Sequence, residues 1–298
     1  MKKLLYPHLF EPLQIGNTLF KNRIFAAPTG MMSLTPQGHL TDDNMAYYAR
    51  KAAGGAAVVT LGESIVDLAT GRSHDRQVAM DDPHVLPTLS RTVDAINRQG
   101  AVANIELSHG GMYAGLSSIG GEEMSGKGRA YGPSTFSMPS GETVYEMPED
   151  MIAHITKAWG TAAARAKKAG FGMVMVHAGH GWLFNQFLSP RYNHRQDRFG
   201  GSLENRARFL TDSLAAIRSQ VGPGFPIELR LNGEDFLNGM HLEEYKRLAK
   251  ILEDYVDLFH ISCGSHEGDG LFVRTHPSMF LAHGCNVHLA AAIKQVVS

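Results

Sequence analysis

The chain has 298 residues, is 43% hydrophobic and 19% charged, and carries a formal net charge of −1. That balance supplies a large core and excludes both a disordered chain and a basic nucleic-acid binder. Its two cysteines, Cys263 and Cys285, form no disulfide framework and no metal-ligand spacing, and no window approaches the roughly 18 consecutive apolar residues of a membrane span. The expectation is a cytoplasmic protein of enzyme size with no nucleic-acid or membrane partner. The N-terminal MKKLLYPHLFEPL is broken by Pro7, His8 and Glu11, so it does not read as a secretory signal.

Leu13 to Phe20 reads as a hairpin turning at Gly16-Asn17. Strand and helix patterns then alternate. Arg23 to Pro28 is a first buried strand, and Thr41 to Ala53 a helix with Thr41 or Asp42 as cap and Gly54-Gly55 as stop. Ala56 to Leu61 is the second strand, and Asp82 to Gln99 a helix ended by Gly100. Ala101 to Leu107 is the third strand, and Pro148 to Ala169 a helix ended by Gly170. Met173 to His177 is the fourth strand, Leu203 to Gln220 a helix capped by Ser202, and Pro226 to Leu231 the fifth strand. Leu242 to Asp254 is a helix, Leu258 to Ser262 the sixth strand, and Val287 to Val297 a helix. Short, largely apolar strands alternating with helices predict parallel βαβ units. The first strand leads into Pro28-Thr29-Gly30-Met31-Met32, which lacks the G-x-G-x-x-G turn of a doubly wound dinucleotide fold.

The fold class expected is therefore α/β, a (β/α)8 TIM barrel forming one domain over residues 1–298. Six strands are read where closure takes eight, so the barrel is expected to be truncated after its sixth βα unit, without strands seven and eight. Between Gly110 and Met147 the sequence reads as a long Gly-, Ser- and Pro-rich loop.

Strand ends of a barrel converge on one mouth. Here they deliver Ala27-Pro28-Thr29-Gly30, then Gly62-Glu63, then Glu106 with Ser108-His109, then His177 and His180, then Arg230, then His260. A charged Arg230 between Leu229 and Leu231 is costly as plain core and is expected to face an anion or an electron-rich group. Plainer readings remain open at several positions. A His-x-x-His pair alone is usually incidental. His177 and His180 with Glu63 or Asp235 also allow a metal-dependent barrel hydrolase. Arg230 also allows a structural ion pair with Glu228 or Glu234. Arg191, Arg195 and Arg198 with Asp197 read equally well as a solvated loop, and Cys263 as a small buried residue.

The segments Asn22-Arg23-Ile24, His109-Gly110-Gly111, His177-Ala178-Gly179-His180-Gly181, Phe187-Leu188-Ser189-Pro190 and Arg198 to Arg206 resemble the old yellow enzyme family. The likeness is to its NADH:flavin oxidoreductase branch, with the FMN domains of 2,4-dienoyl-CoA reductase and bile-acid oxidoreductases. It covers essentially the whole chain. The resemblance implies FMN at the barrel mouth, reduced by NADH or NADPH, and an enone or enoyl small-molecule substrate. It places Ala27, Pro28, Thr29 and Gly30 along the flavin, Gly62 in close approach to it, Glu106 near it, and Arg230 beside its negative edge. It makes His177 and His180 the residues that bond the substrate carbonyl, polarising the C=C. It assigns no metal ion. An iron–sulfur cluster and FAD are implied only for a longer C-terminal region, and assembly into a homo-oligomer is left open.

Three positions depart from the pattern. Glu106 replaces a frequent Gln, and its carboxylate needs protonation or a partner such as Arg230. Met112 follows His109-Gly110-Gly111 where the family often has Arg. Trp182 stands where a tyrosine proton donor is usual, and an indole N–H does not deliver a proton at neutral pH. Trp182 and Tyr113 are read as substrate-side residues, with Tyr113 the substitute donor. The family's last two βα loops hold the FMN phosphate, so weak or absent FMN binding is expected of this chain. The alternative function is an incomplete barrel without flavin, in a binding or vestigial role.

Overall fold

Residues 5–115 and 129–298 are described by a computed structural model. β1 (Leu13–Ile15) and β2 (Thr18–Phe20) form the expected antiparallel hairpin, turning at Gly16, whose φ of +52° suits glycine. β3 (Phe25–Thr29) leads to α1 (Asp42–Ala53), where the Asn44 side chain accepts from the Thr41 N–H at 2.9 Å. β4 (Val58–Ile65) follows, then α2 (Leu68–Gly71), β5 (Val78–Ala79), α3 (Leu86–Asn97) and β6 (Val102–Ser108). β7 (Ala130–Gly132), β8 (Phe136–Ser137) and β9 (Thr143–Glu146) come next, then α4 (Glu149–Ala169), stopped by Gly170 at φ +101°. β10 (Met173–Ala178), α5 (Leu183–Leu188), α6 (Leu203–Val221), β11 (Ile227–Asn232), α7 (Leu242–Leu252), β12 (Leu258–Ser262), α8 (Asp269–Thr275) and α9 (Val287–Lys294) complete the order.

The main sheet runs β3-β4-β6-β10-β11-β12, with β5 beside the end of β4, and every pairing in it is parallel. These are six consecutive strands of a barrel, with β3 and β12 at its edges. Period-two alternation sorts the side chains. Val59, Leu61, Ile105, Leu107, Val174, Val176, Leu229 and Leu231 face the helices and join the main core. The opposite face carries Thr60, Asn104, Glu106, His177, Glu228 and Arg230. A lower layer is closed by Asn104 Nδ2 bonding Thr60 Oγ1 at 3.2 Å and Glu228 Oε2 at 2.7 Å. The strands are therefore less uniformly apolar than a buried parallel sheet suggests, and the polar alternation is the side that faces the barrel axis.

Three expectations need correction. The second strand does not stop at Leu61. It continues to Ile65 through a register shift between Leu61 and Ser64. This irregularity contains Gly62 and a positive φ of 26° at Glu63. The Gly110–Met147 stretch is not all loop: β7, β8 and β9 form a separate three-stranded sheet. Its remaining residues 116–128 lie outside the described residues. The solvated-loop reading holds for Arg198, which is exposed and pairs with Glu149, but not for Arg195. α5 is buried along its whole length, including Asn185 and Gln186. Arg195 is buried as well. Its NH1 donates to the carbonyls of Pro133 and Met147 at 3.1 and 2.7 Å, and its NH2 to Asp197 at 2.5 Å. It pins the small sheet to the segment after β10. Among the described residues, no helix is long and apolar enough to cross a membrane.

Candidate active site

The C-terminal ends of β3, β6, β10 and β11 enclose a cavity of about 580 Å³, within the usual range for small-molecule sites. Pro28, Thr29 and Gly30 line one side, and Glu106, His177, His180 and Arg230 the other. Trp182 also reaches it. Ala27 and Gly62 are not at its wall. Gly62 sits behind it, where a Cβ would come within 2.7 Å of the Thr29 carbonyl carbon and 2.8 Å of the Gly30 nitrogen. The glycine thus lets β3 and β4 approach, and its contribution to the cavity is indirect.

Arg230 does not pair with Glu228 or Glu234. It bonds Glu106 Oε1 across the sheet at 2.9 Å. The Glu106 side chain is only 3% exposed. Burial pushes its carboxyl above the ordinary range, with Arg230 acting against that shift. The pair supplies the partner that an acidic residue needs at this position.

His177 and His180 face one another, His177 Nε2 lying 3.0 Å from His180 Nδ1. His180 Nε2 is 2.8 Å from Ser262 Oγ. His177 Nδ1 lies 3.4 Å from Glu106 Oε1 but without hydrogen-bond geometry. Burial, reinforced by the nearby Arg230 charge, holds both rings well below the usual imidazole range, so both are neutral. One ring therefore donates to the other. The metal reading loses its other members too. Glu63 is bonded by His74 and Gln77 at 2.9 and 2.8 Å, and Asp235 by Tyr245 and Asn232. Among the described residues, no cluster of three or more His, Cys, Asp or Glu is placed to hold a metal ion.

Tyr113 is not brought into this cavity. It lines a neighbouring one of about 540 Å³ with Met112, Phe136 and Tyr192. Its ring meets Trp182 edge-to-face at 5.7 Å, so the two form a wall between the cavities. Residues that the sequence reading passed over also line the first cavity, notably His74, His266 and His276. His266 lies four residues past Ser262, where the sixth strand ends, and its ring is tilted against that of Trp182 with centroids 4.8 Å apart. Cys263 is a buried thiol that burial pushes up to about 11, as a small core residue rather than a nucleophile.

The family model described as the NADH:flavin oxidoreductase / NADH oxidase family matches residues 8–264. The chain belongs to that family. The old yellow enzyme resemblance stands with it, and with it FMN and a nicotinamide reductant as the family's cofactors. Within the family, a metal reductase of Desulforamulus reducens is 36% identical over 97% of this chain and 42% of its own length. An NADPH dehydrogenase of Clostridium acetobutylicum is 33% identical over 86% of this chain and 74% of its own. The solved 2-naphthoyl-CoA reductase, in complex with 2-naphthoyl-CoA, superposes with a TM-score of 0.86. It is 33% identical over 98% of this chain and 45% of its own. The chain thus spans less than half the length of the metal reductase and of the naphthoyl-CoA reductase.

Proposed function

We propose that this chain is the flavin-bearing part of an NAD(P)H-dependent oxidoreductase that reduces the C=C bond of an α,β-unsaturated carbonyl compound. The observation that carries the proposal is the Arg230–Glu106 pair lying beside two neutral histidines on one side of a cavity whose other side is Pro28, Thr29 and Gly30. The residues fit a flavin ring. Arg230 Nε, His177 Nδ1 and Trp182 Nε1 are buried polar atoms with no partner among the described residues. A Cβ on Gly30 would meet nothing within 4 Å, so that strand end is open toward a planar ligand. Pro28, Thr29, Gly30 and Arg230 would hold the ring.

FMN, when bound, supplies the redox centre that takes hydride from NAD(P)H and passes it to carbon. The chain's own residues set the conditions for that chemistry. Arg230 contributes a fixed positive charge among largely buried side chains, where it favours negative charge on a bound partner. His177 and His180 each have one ring N–H. A carbonyl oxygen seated between them would accept from both in place of their mutual bond, and being neutral they hold that oxygen without handing over a proton. Trp182 adds a donor-only N–H. With Tyr113 behind Trp182, solvent is the proton source that the proposal assigns for the α-carbon.

The test is turnover of 2-cyclohexenone with NADH or NADPH in the presence of FMN, with the saturated ketone identified as product. His177→Ala and His180→Ala are each expected to lower kcat/KM by about 10²-fold, the scale of losing an oxyanion donor. Absence of enone reduction by a protein that binds FMN would move the reading to another substrate class. Absence of FMN binding would leave the incomplete barrel with a binding role.

A further inference from the structure

We propose that Asp235 is the positioning residue of this site. By accepting from Asn232 and Asn185 it turns both amide oxygens onto the N–H groups of His180 and Gly181, and so holds His180 in the left-handed conformation that aims its ring at His177. The proposal rests on the reading of His180 as a carbonyl-holding residue.

Asp235 is 8% exposed and lies in the loop after β11. Four donors converge on its carboxylate. Tyr245 Oη and Asn232 Nδ2 reach Oδ1 at 2.6 and 2.7 Å. The Met240 N–H reaches Oδ2 at 3.1 Å, and Asn185 Nδ2 approaches both oxygens at 3.2 and 3.4 Å. An ionised carboxylate only accepts. Both asparagines must therefore present their NH2 groups to it. Asn232 is held the same way by the Gly264 carbonyl at 2.9 Å, and Asn185 by Tyr245 Oη at 2.9 Å.

The amide oxygens are then committed to the other side. Asn232 Oδ1 accepts from the His180 N–H at 3.2 Å, and Asn185 Oδ1 from the Gly181 N–H at 2.7 Å. These are consecutive peptide groups. His180 has φ +59° and Gly181 φ +81°, and a left-handed histidine is unfavourable unless its surroundings enforce it. Gly179 lets Asn232 come this close, since a Cβ there would sit 2.6 Å from Asn232 Oδ1. The backbone so fixed directs the His180 ring between His177 Nε2 and Ser262 Oγ. The carboxylate touches neither ring, so its effect passes entirely through the two amides.

Asp235→Asn replaces an acceptor by a group that must donate from one side. Whichever way it turns, its NH2 meets Tyr245 and Asn232 or the Met240 N–H, and the amide orientations lose their common reference. Site-resolved hydrogen exchange and ring 15N NMR of His180 read this in the protein without flavin. The expected result is at least a tenfold loss of amide protection at His180 and Gly181, with protection of β6 unchanged, and displaced His180 ring resonances. With FMN present, kcat/KM for 2-cyclohexenone should fall at least tenfold while the FMN Kd and the rate of flavin bleaching by NAD(P)H stay as in the wild type. If Asp235→Asn does not fold, Tyr245→Phe decides, with an expected threefold or greater loss of protection at the same two amides. Wild-type protection and ring resonances in a folded variant would overturn the proposal. If the wild type binds FMN but reduces no enone, the functional reading fails, while the exchange data still decide whether the clamp exists.

Discussion

Gly62→Ala tests how tightly the cavity's shape depends on one absent side chain. The built Cβ lies 2.7 Å from the Thr29 carbonyl carbon and 2.8 Å from the Thr29 and Gly30 nitrogens. All three are backbone atoms, so no side chain can rotate away. Ordinary contact starts at 3.4 Å, so β3 must retreat by roughly 0.7 Å to clear the methyl group. β3 is an edge strand with its end half-exposed, and it can give way only by shifting the Thr29–Gly30 peptide that lines the cavity. Overpacking of this kind costs about 1–3 kcal/mol. The expected outcome is a loss of that size in urea unfolding, together with about a tenfold weaker FMN Kd, equivalent to about 1.4 kcal/mol. Gly30→Ala is the control, because its Cβ meets nothing within 4 Å. Its unfolding free energy should stay within about 0.5 kcal/mol of wild type. Wild-type stability and FMN affinity in Gly62→Ala would refute the reasoning that close strand approach shapes the site.

Other outcomes follow from buried polar groups. His109 Nδ1 accepts from the Gly111 N–H at 3.1 Å, and burial lowers its ring to about 4, below the ordinary 6.5. Its contribution to stability is whole above pH 6.5 and is lost as pH falls through 4, by about 3 kcal/mol in all. His177 and His180 act in the same direction, so His109→Asn should flatten only part of the pH 6.5–4 slope in urea titrations; an unchanged slope would contradict its buried neutral state. Arg195→Ala leaves the buried Pro133 and Met147 carbonyls without that donor, while Asp197 keeps the Phe199 N–H, and should cost about 2–4 kcal/mol, with limited proteolysis cutting first within residues 129–147. Glu106→Leu strands the Arg230 guanidinium in the interior and should cost a similar amount, whereas Glu106→Gln keeps an acceptor and should cost less than half as much by thermal melts.

Much of the architecture could be read before the structure. All six parallel strands and the long helices lie within a few residues of where the apolar alternation and the Gly54, Gly100 and Gly170 stops place them. What escaped was polar and buried. Asn185 and Gln186 look like loop residues until their partners are known: Asp235 is fifty positions away, and the Met112 N–H bonded by Gln186 is seventy-four. Arg195 looked solvated for the same reason. The Glu106–Arg230 pair, by contrast, was legible although it joins residues 124 apart, because a carboxylate at Glu106 needs protonation or a partner and Arg230 was the one at hand. The alternation of Asn104, Glu106 and Ser108, and of Glu228, Arg230 and Asn232, did carry a signal for an inward polar face. His266 and His276 had no such periodicity, because one lies in the turn after β12 and the other at the end of α8. The extension of β4 past Leu61 depends on a register shift, which a count of apolar residues does not register.

The central claim is that this cavity holds a flavin beside Arg230. Its most direct test is a titration of the protein with FMN, followed anaerobically by absorbance and then by addition of NADH or NADPH. The account predicts a saturable shift of the flavin bands, bleaching by the nicotinamide, and at least a tenfold weaker Kd in Arg230→Leu than in wild type. A wild-type Kd weaker than about 1 mM, less than about 4 kcal/mol of binding, or an Arg230→Leu variant that binds FMN as the wild type does, would contradict it.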